Sequence, residues 1–359
     1  MQNSYRIIGI MSGTSMDGVD IAYTSFSQSE QNSWTHEIKA VKTFPYTDKL
    51  LEVLKDSVNY SAVELSRLDK HLGTYFGHLV NHFIDEFKID TSEVHAIASH
   101  GHTIFHQPEN GFTLQIGCGS TIASLTNIKV INDFRTKDVI NGGQGAPLAP
   151  IGDTLLFSDL ADAFLNIGGF ANVCINTDKV IAFDIGPGNL PLNEICQEDF
   201  NRPFDKNGEI AQSGKLRPRI FEILNTLDYY STPPPRSMGT EWLEEFFRPL
   251  ITSYSSVDPR DLLHTVTAHI AYQISANLNE FGVKSVLITG GGAKNKFLID
   301  QITEQFKGEV IIPGEELIDF KEAIIFGFLG ALYLDGQPNT IPSVTGAKKA
   351  VSGGVLHTP

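Results

Sequence analysis

Three cysteines in 359 residues, Cys118, Cys174 and Cys196, share no short paired spacing. That leaves no material for a disulfide framework or a zinc knuckle, and fits a reducing compartment. Long apolar runs are missing too: the longest, Ala323 to Leu334, covers about 12 residues where a bilayer span needs roughly 20. No basic stretch followed by an apolar one precedes the strand-like Ile7-Ile8, which argues against a secretory signal. Positive charge is scarce, with 27 Lys and Arg against 42 Asp and Glu and a formal net charge of -15. Such a chain repels phosphate backbones, so nonspecific nucleic-acid binding is not expected, although local basic groups and helix N-termini can still hold a phosphate. Low-complexity tracts and short-period repeats are absent. The expectation is a cytoplasmic protein with no membrane and no nucleic-acid partner.

What is present is a recurring grammar of strand, glycine turn and helix. Tyr5 to Ile10 and Val19 to Tyr23 alternate as the arms of a hairpin around a Gly- and Ser-rich turn. Leu65, Leu68, Leu72, Phe76, Leu79 and Phe83 recur at helical steps. Short strands are expected at Val94 to Ser99 and Lys129 to Asp133, the second leading into Gly142-Gly143-Gln144-Gly145. The second half repeats the pattern with strands at Ala163 to Ile167, Val180 to Asp184 and Ser285 to Thr289. A helix there is opened by Asp258-Pro259 and stopped by Gly282. This alternation is that of an α/β protein, and the length is that of two domains.

Three corners carry candidate chemistry. The first is Gly9-Ile10-Met11-Ser12-Gly13-Thr14-Ser15-Met16-Asp17-Gly18-Val19-Asp20, where Gly13 and Gly18 free backbone N–H groups and small hydroxyls to face an anion. Asp17 and Asp20 offer oxygen ligands to a magnesium ion on phosphates. No lysine of the Walker type follows, and by glycine spacing alone an ordinary polar-tipped hairpin fits equally well. The second is Phe183-Asp184-Ile185-Gly186-Pro187-Gly188, an acid at the carboxyl end of a strand, where open α/β sheets place their ligands. Asp184 there could serve as a general base, although alone it reads more readily as a turn or N-cap aspartate. The third is Gly290-Gly291-Gly292-Ala293-Lys294-Asn295, where three glycines after a buried strand imply close backbone approach to a ligand face.

Together, in this order, the corners resemble the two phosphate-binding turns and the adenosine turn of the actin, hexokinase and heat-shock chaperone superfamily. The first corner is similar to the signature of anhydro-N-acetylmuramic acid kinases. So are Ser99-His100-Gly101 with His106 and Pro108, Asp133-Phe134-Arg135 with Gly142 to Leu148, and Asn166-Ile167-Gly168-Gly169-Phe170-Ala171-Asn172. Phe204-Asp205 with Gly208, Ala211 and Gly214, and Pro234 with Ser237, Gly239 and Glu241, extend the resemblance along nearly the whole chain.

The resemblance implies a two-domain actin-like ATPase (ribonuclease H-like) fold with a nucleotide cleft between the domains, expected at residues 1–132 with 336–359 and at 133–335. It implies ATP and Mg2+ as cofactors, an amino-sugar substrate and a homodimer. ATP is expected at Ser12, Gly13, Thr14, Ser15, Met16, Asp17, Gly18, Val19, Asp20, Gly168, Gly169, Gly186, Gly188, Gly290, Gly291, Gly292 and Asn295, with the metal at Asp17 and Asp20. Asp184 matches the family's catalytic aspartate, which activates a water. Ser99, His100, Arg135 and Glu322 match residues at the sugar. The chain departs from the family pattern at Ile185 (commonly Thr), Asn193 (commonly Asp), Arg236 (commonly Lys) and His102 (commonly Gln).

His95, His100, His102 and His106 also cluster, and on one strand His100 and His102 would share a face as a metal pair does. Hydrogen bonding toward a substrate, or a structural role, is preferred. Two other functions stay open: a kinase for another amino sugar, and a nucleotide-gated switch of the same superfold.

Overall fold

A computed structural model describes residues 3–13, 18–31 and 33–359. In chain order its strands are β1 (Ser4–Met11), β2 (Gly18–Gln28), β3 (Trp34–Pro45), β4 (Ala96–Ser99), β5 (His102–Gln107), β6 (Phe112–Ile116), β7 (Val130–Asn132), β8 (Ala163–Ile167), β9 (Phe170–Ile175), β10 (Ile181–Pro187), β11 (Ser285–Thr289), β12 (Glu309–Ile311) and β13 (Val355–His357). One sheet has the order β13-β7-β4-β1-β2-β3, a second β10-β9-β8-β11-β12, and β5 and β6 pair as a hairpin.

The same plan is used twice. β1, β2 and β3 form an antiparallel meander, and β4 and β7 add to β1 in parallel. Likewise β8, β9 and β10 form a meander, and β11 and β12 add to β8 in parallel. This is the duplicated α/β arrangement that the resemblance implies. Parallel pairs need crossover connections, and the long helices Ala62–Phe87 and Pro259–Glu280 supply one in each half. The first opens on a capping box, with the Ser61 side chain accepting from the Glu64 N–H and Glu64 reaching back to the Ser61 N–H. It buries Leu68, Leu72, Phe76, Val80 and Phe83, the helical stripe legible in the sequence. The second is capped by Asp258, whose side chain accepts from the Arg260 N–H.

The chain forms two compact units, Met1–Phe157 with Phe320–Pro359, and Ser158–Asp319. These limits differ from the sequence expectation, which gave 133–157 and 320–335 to the second domain. Packing explains the difference. Phe134 lies against Phe326, with ring centroids 5.8 Å apart, and Lys321 pairs with Asp153 at 2.6 Å. Segments 133–157 and 320–334 therefore belong to one core.

The helix Glu315–Leu334, visible in the sequence only as the apolar run from Ala323, lies directly on β1. A Cβ at Gly9 would sit 2.0 Å from the Ala323 carbonyl oxygen and 2.9 Å from the Gly327 nitrogen, so strand and helix touch through bare backbone. Neither partner is a flexible side chain that could move aside. Gly9→Ala is expected to destabilise the protein by about 3 kcal/mol or more, the upper range of overpacking, as read from denaturant midpoints.

Candidate active site

Ligands of open α/β sheets collect beyond the carboxyl ends of the parallel strands. In the first unit those ends bring together Ser12 after β1, Ser99 and His100 at β4, and Arg135 after β7. Ser12 is buried, its Oγ 2.5 Å from the Tyr46 hydroxyl and 3.0 Å from His102 Nδ1. Ser99 is fully buried and its Oγ accepts from the Gly101 N–H. His100 Nε2 accepts from Arg135 Nε at 3.2 Å and Nη2 at 2.9 Å, which puts the imidazole proton on Nδ1. Burial, then the Arg135 charge, holds the His100 pKa well below its ordinary value, so the ring is neutral. Arg135 also donates Nη1 to the Gly145 carbonyl at 2.8 Å. Burial lowers its pKa to about 10, against the opposing pull of Glu322, so the guanidinium stays cationic at neutral pH.

Glu322 remains exposed to water, yet the protein crowded around it pushes its carboxyl up, a rise that Arg135 and Lys321 oppose. Asp20 also faces this group of charges, and its Oδ1 accepts from Thr43 Oγ1 at 2.5 Å. Of the rest of the first corner, Gly13 is half-buried and Gly18 lies tight against the Phe44 carbonyl. The Val19 side chain is fully buried in the core, so only its backbone could meet a ligand. Thr14, Ser15, Met16 and Asp17 lie outside the described residues.

The histidines do not converge. β4 ends at Ser99, Gly101 takes φ +76, and β5 starts at His102, so His100 and His102 are not on one strand. One meets Arg135 and the other Ser12, while His95 accepts from the Arg6 N–H and His106 meets Thr113. Among the described residues no group of three or more His, Cys, Asp or Glu side chains is placed to hold a metal.

In the second unit the glycine corners interlock. The β8–β9 turn carries Gly168 and Gly169, whose carbonyls accept from the Asn189 and Gly188 N–H groups, each at 2.8 Å. A Cβ at Gly188 would lie 2.6 Å from the Gly168 oxygen, and one at Gly290, where φ is +81, would lie 2.8 Å from the Ile167 oxygen. Gly292 is pressed on the Ile167 side chain, a Cβ at Gly291 would make an ordinary contact of 3.6 Å with Asn189 Nδ2, and Gly186 lies beside the Tyr230 ring. The close approach foreseen for the third corner is thus mainly protein on protein. Asn295 directs its Oδ1 to the Leu298 N–H as a helix cap, leaving its amide NH2 for other partners.

Asp184 lies within β10, which runs on to Pro187, at a register shift between Asp184 and Gly186. Its carboxylate is half-buried and Oδ2 accepts from the Met238 N–H at 2.8 Å. Burial pushes the carboxyl up, and the Met238 bond and the Arg236 charge oppose the rise. The net rise makes this carboxylate more basic than an exposed aspartate, the direction that general-base chemistry favours.

The family model for anhydro-N-acetylmuramic acid kinase matches residues 5–359. The chain belongs to the anhydro-N-acetylmuramic acid kinase family. It is 37% identical over 373 residues to the kinase of that name from Shewanella frigidimarina, covering 99% of each chain. It is 36% identical to that of Clostridioides difficile, covering 98% of each. Solved structures overlap more loosely: a glucokinase of the ROK family from Streptomyces griseus aligns with a TM-score of 0.35 at 11% identity. Membership in the kinase family therefore rests on the sequence match.

Some residues of the two sites carried no sequence signal. Asp138, fully buried, accepts from the Gly145 N–H at 2.8 Å and the Thr345 hydroxyl at 2.9 Å, so the Gly142–Gly145 loop wraps around a carboxylate. The Asp153–Lys321 pair, almost wholly buried, sits beside Glu322. Removing one member leaves the other charge unpaired. Asp153→Ala or Lys321→Met is expected to cost about 3–5 kcal/mol in denaturant unfolding, more than the double substitution costs.

Proposed function

We propose that the chain is an ATP-dependent kinase acting on 1,6-anhydro-N-acetylmuramic acid, opening the anhydro bridge with water and yielding N-acetylmuramic acid 6-phosphate and ADP. Its place is the reuse of cell-wall sugars. The full-length match to kinases of that name carries the reading. It is supported by a half-buried carboxylate at Asp184 in the same unit as the interlocked glycine corners.

In this reading Asp184 takes a proton from water, whose oxygen attacks the anomeric carbon. The bond from that carbon to O6 breaks, and O6 attacks the γ-phosphorus of ATP as the bond to the β-phosphate oxygen breaks. Gly168, Gly169, Gly186, Gly188, Gly290, Gly291, Gly292 and Asn295 would hold the nucleotide together with Ser12, Gly13, the segment Thr14 to Asp17, Gly18, Val19 and Asp20. Ser99, His100, Arg135 and Glu322 would hold the sugar, with Arg135 suited to the lactyl carboxylate. Magnesium is bound in such sites by one or two carboxylates plus substrate phosphates, and neutralises charge on those phosphates. Asp20, a half-buried carboxylate, suits this hard cation, with Asp17 as the second candidate. A homodimer and a cytoplasmic location complete the proposal, both by family resemblance.

The distinguishing measurement is product mass. With the anhydro sugar the product should gain both water and phosphate, and ADP release should depend on that sugar rather than on N-acetylmuramic acid or N-acetylglucosamine. ADP release indifferent to every sugar would instead favour a nucleotide-gated switch. Asp184→Asn should lower turnover by about 10²–10⁴-fold, the usual share of a general base, with ATP affinity unchanged.

A further inference from the structure

β10 is the edge strand of its sheet, so one side of its backbone has no neighbouring strand. Groups on such an edge are left to water unless something covers them. At Asp184 the cover is specific. Its N–H donates to the Arg236 carbonyl at 3.0 Å. Its carbonyl accepts from the Tyr229 hydroxyl at 2.7 Å and from Arg236 Nε at 3.2 Å. Segment 229–238 thus stands in for a missing strand at this residue, and adds the Met238 N–H to the carboxylate itself.

The Arg236 guanidinium is in turn pinned. Nη1 donates to the Thr232 carbonyl and Nη2 to Asn277 Oδ1 at 3.0 Å, while the rings of Phe183 and Tyr229 lie 5.3 and 5.1 Å away. A planar fork reaches three acceptors at once, which a lysine ammonium on a flexible stem cannot do in this arrangement.

We propose that Arg236, assisted by the Tyr229 hydroxyl, is a positioning residue that fixes the Asp184 peptide and thereby the direction of its carboxylate. The inference rests on the reading of Asp184 as the base. Within this unit the charged and titratable groups facing Asp184 are Arg236 and Tyr229, and the positive charge of Arg236 favours the ionised acid against the effect of burial. Removing that charge raises the Asp184 pKa, so the acidic limb of the pH profile should move to higher pH.

The test uses full-length Arg236→Met, Arg236→Lys, Tyr229→Phe and Asp184→Asn with ATP and the anhydro sugar. Readouts are kcat, the KM for ATP, the pH dependence of kcat/KM and the unfolding midpoint. Arg236→Met should lower kcat by about tenfold or more, as small misplacements of a reacting group do, while the KM for ATP stays within about twofold. Its acidic limb should shift upward. Arg236→Lys should restore the limb but not the full kcat, because charge returns without the fork.

An Arg236→Met enzyme with parental kcat and acidic limb overturns the inference. So does equal loss in both arginine variants with the limb unmoved, the signature of general loosening. If Arg236→Met does not fold, Tyr229→Phe decides: reduced kcat at unchanged KM for ATP supports the inference, and parental kcat overturns it. An active Asp184→Asn enzyme sinks the base assignment and this inference with it. An inactive one beside an unaffected Arg236→Met sinks the inference alone.

Discussion

The ends of β8, β10 and β11 meet because bare backbone is allowed to lie on bare backbone. Gly188 has room for no side chain against the Gly168 carbonyl, and Gly290 combines a positive φ with the same closeness to the Ile167 carbonyl. Glycine gives up more conformational freedom on folding than any other residue, up to about 1 kcal/mol relative to alanine at each such position. What the arrangement obtains is a set of strand ends locked to one another by N–H donors before any ligand arrives. Those N–H groups are spent on carbonyls of the chain itself, so what they fix is the shape of the corners. Gly291, where a Cβ would meet Asn189 Nδ2 at an ordinary 3.6 Å, is packed less tightly than Gly188 or Gly290.

Charges in the first unit follow a related rule, in which each buried charge has its own partner. Asp138 is held by N–H and hydroxyl donors, Asp153 pairs with Lys321, and Arg135 is held by two neutral acceptors, the His100 ring and the Gly145 carbonyl. The Arg135 arrangement has a functional consequence. A guanidinium whose hydrogen bonds all go to neutral groups keeps its positive charge, and Glu322 is the acid that acts on it. In the proposed function the sugar's carboxylate would be a further partner.

The regular elements were legible because periodicity is local. The stripe of the helix Ala62–Phe87, the Asp258-Pro259 start and the hairpin of β1 and β2 all declare themselves within a few residues. β3 did not, since it lies at a sheet edge and carries Glu37, Lys39 and Lys42 among its apolar residues. The glycine corners were legible as well, because glycine runs after buried strands have few ordinary uses. Their purpose was less so: whether Gly290 faces a ligand or the Ile167 carbonyl depends on a contact more than a hundred positions away. Gly101 misled in the opposite direction, since its left-handed turn separates two histidines that alternation would have placed on one face. Asp138, Tyr229 and the Met238 N–H carry no pattern at all, because each acts through one contact set by the fold. The three prolines Pro233 to Pro235 lead into the cover of Asp184.

The position of Asp184 on an edge strand suits the base that it is proposed to be. It has to be ionised at working pH and still reluctant to stay so, which requires burial and stabilisation in measured opposition. In a central strand both sides of the backbone belong to neighbouring strands, and little is left to tune the residue. At an edge, a separate segment can bring an N–H donor and a cation together, and here they come from Met238 and Arg236. That segment opposes the rise that burial causes in the Asp184 carboxyl. Substitutions there can change the chemistry without disturbing the strands that hold it.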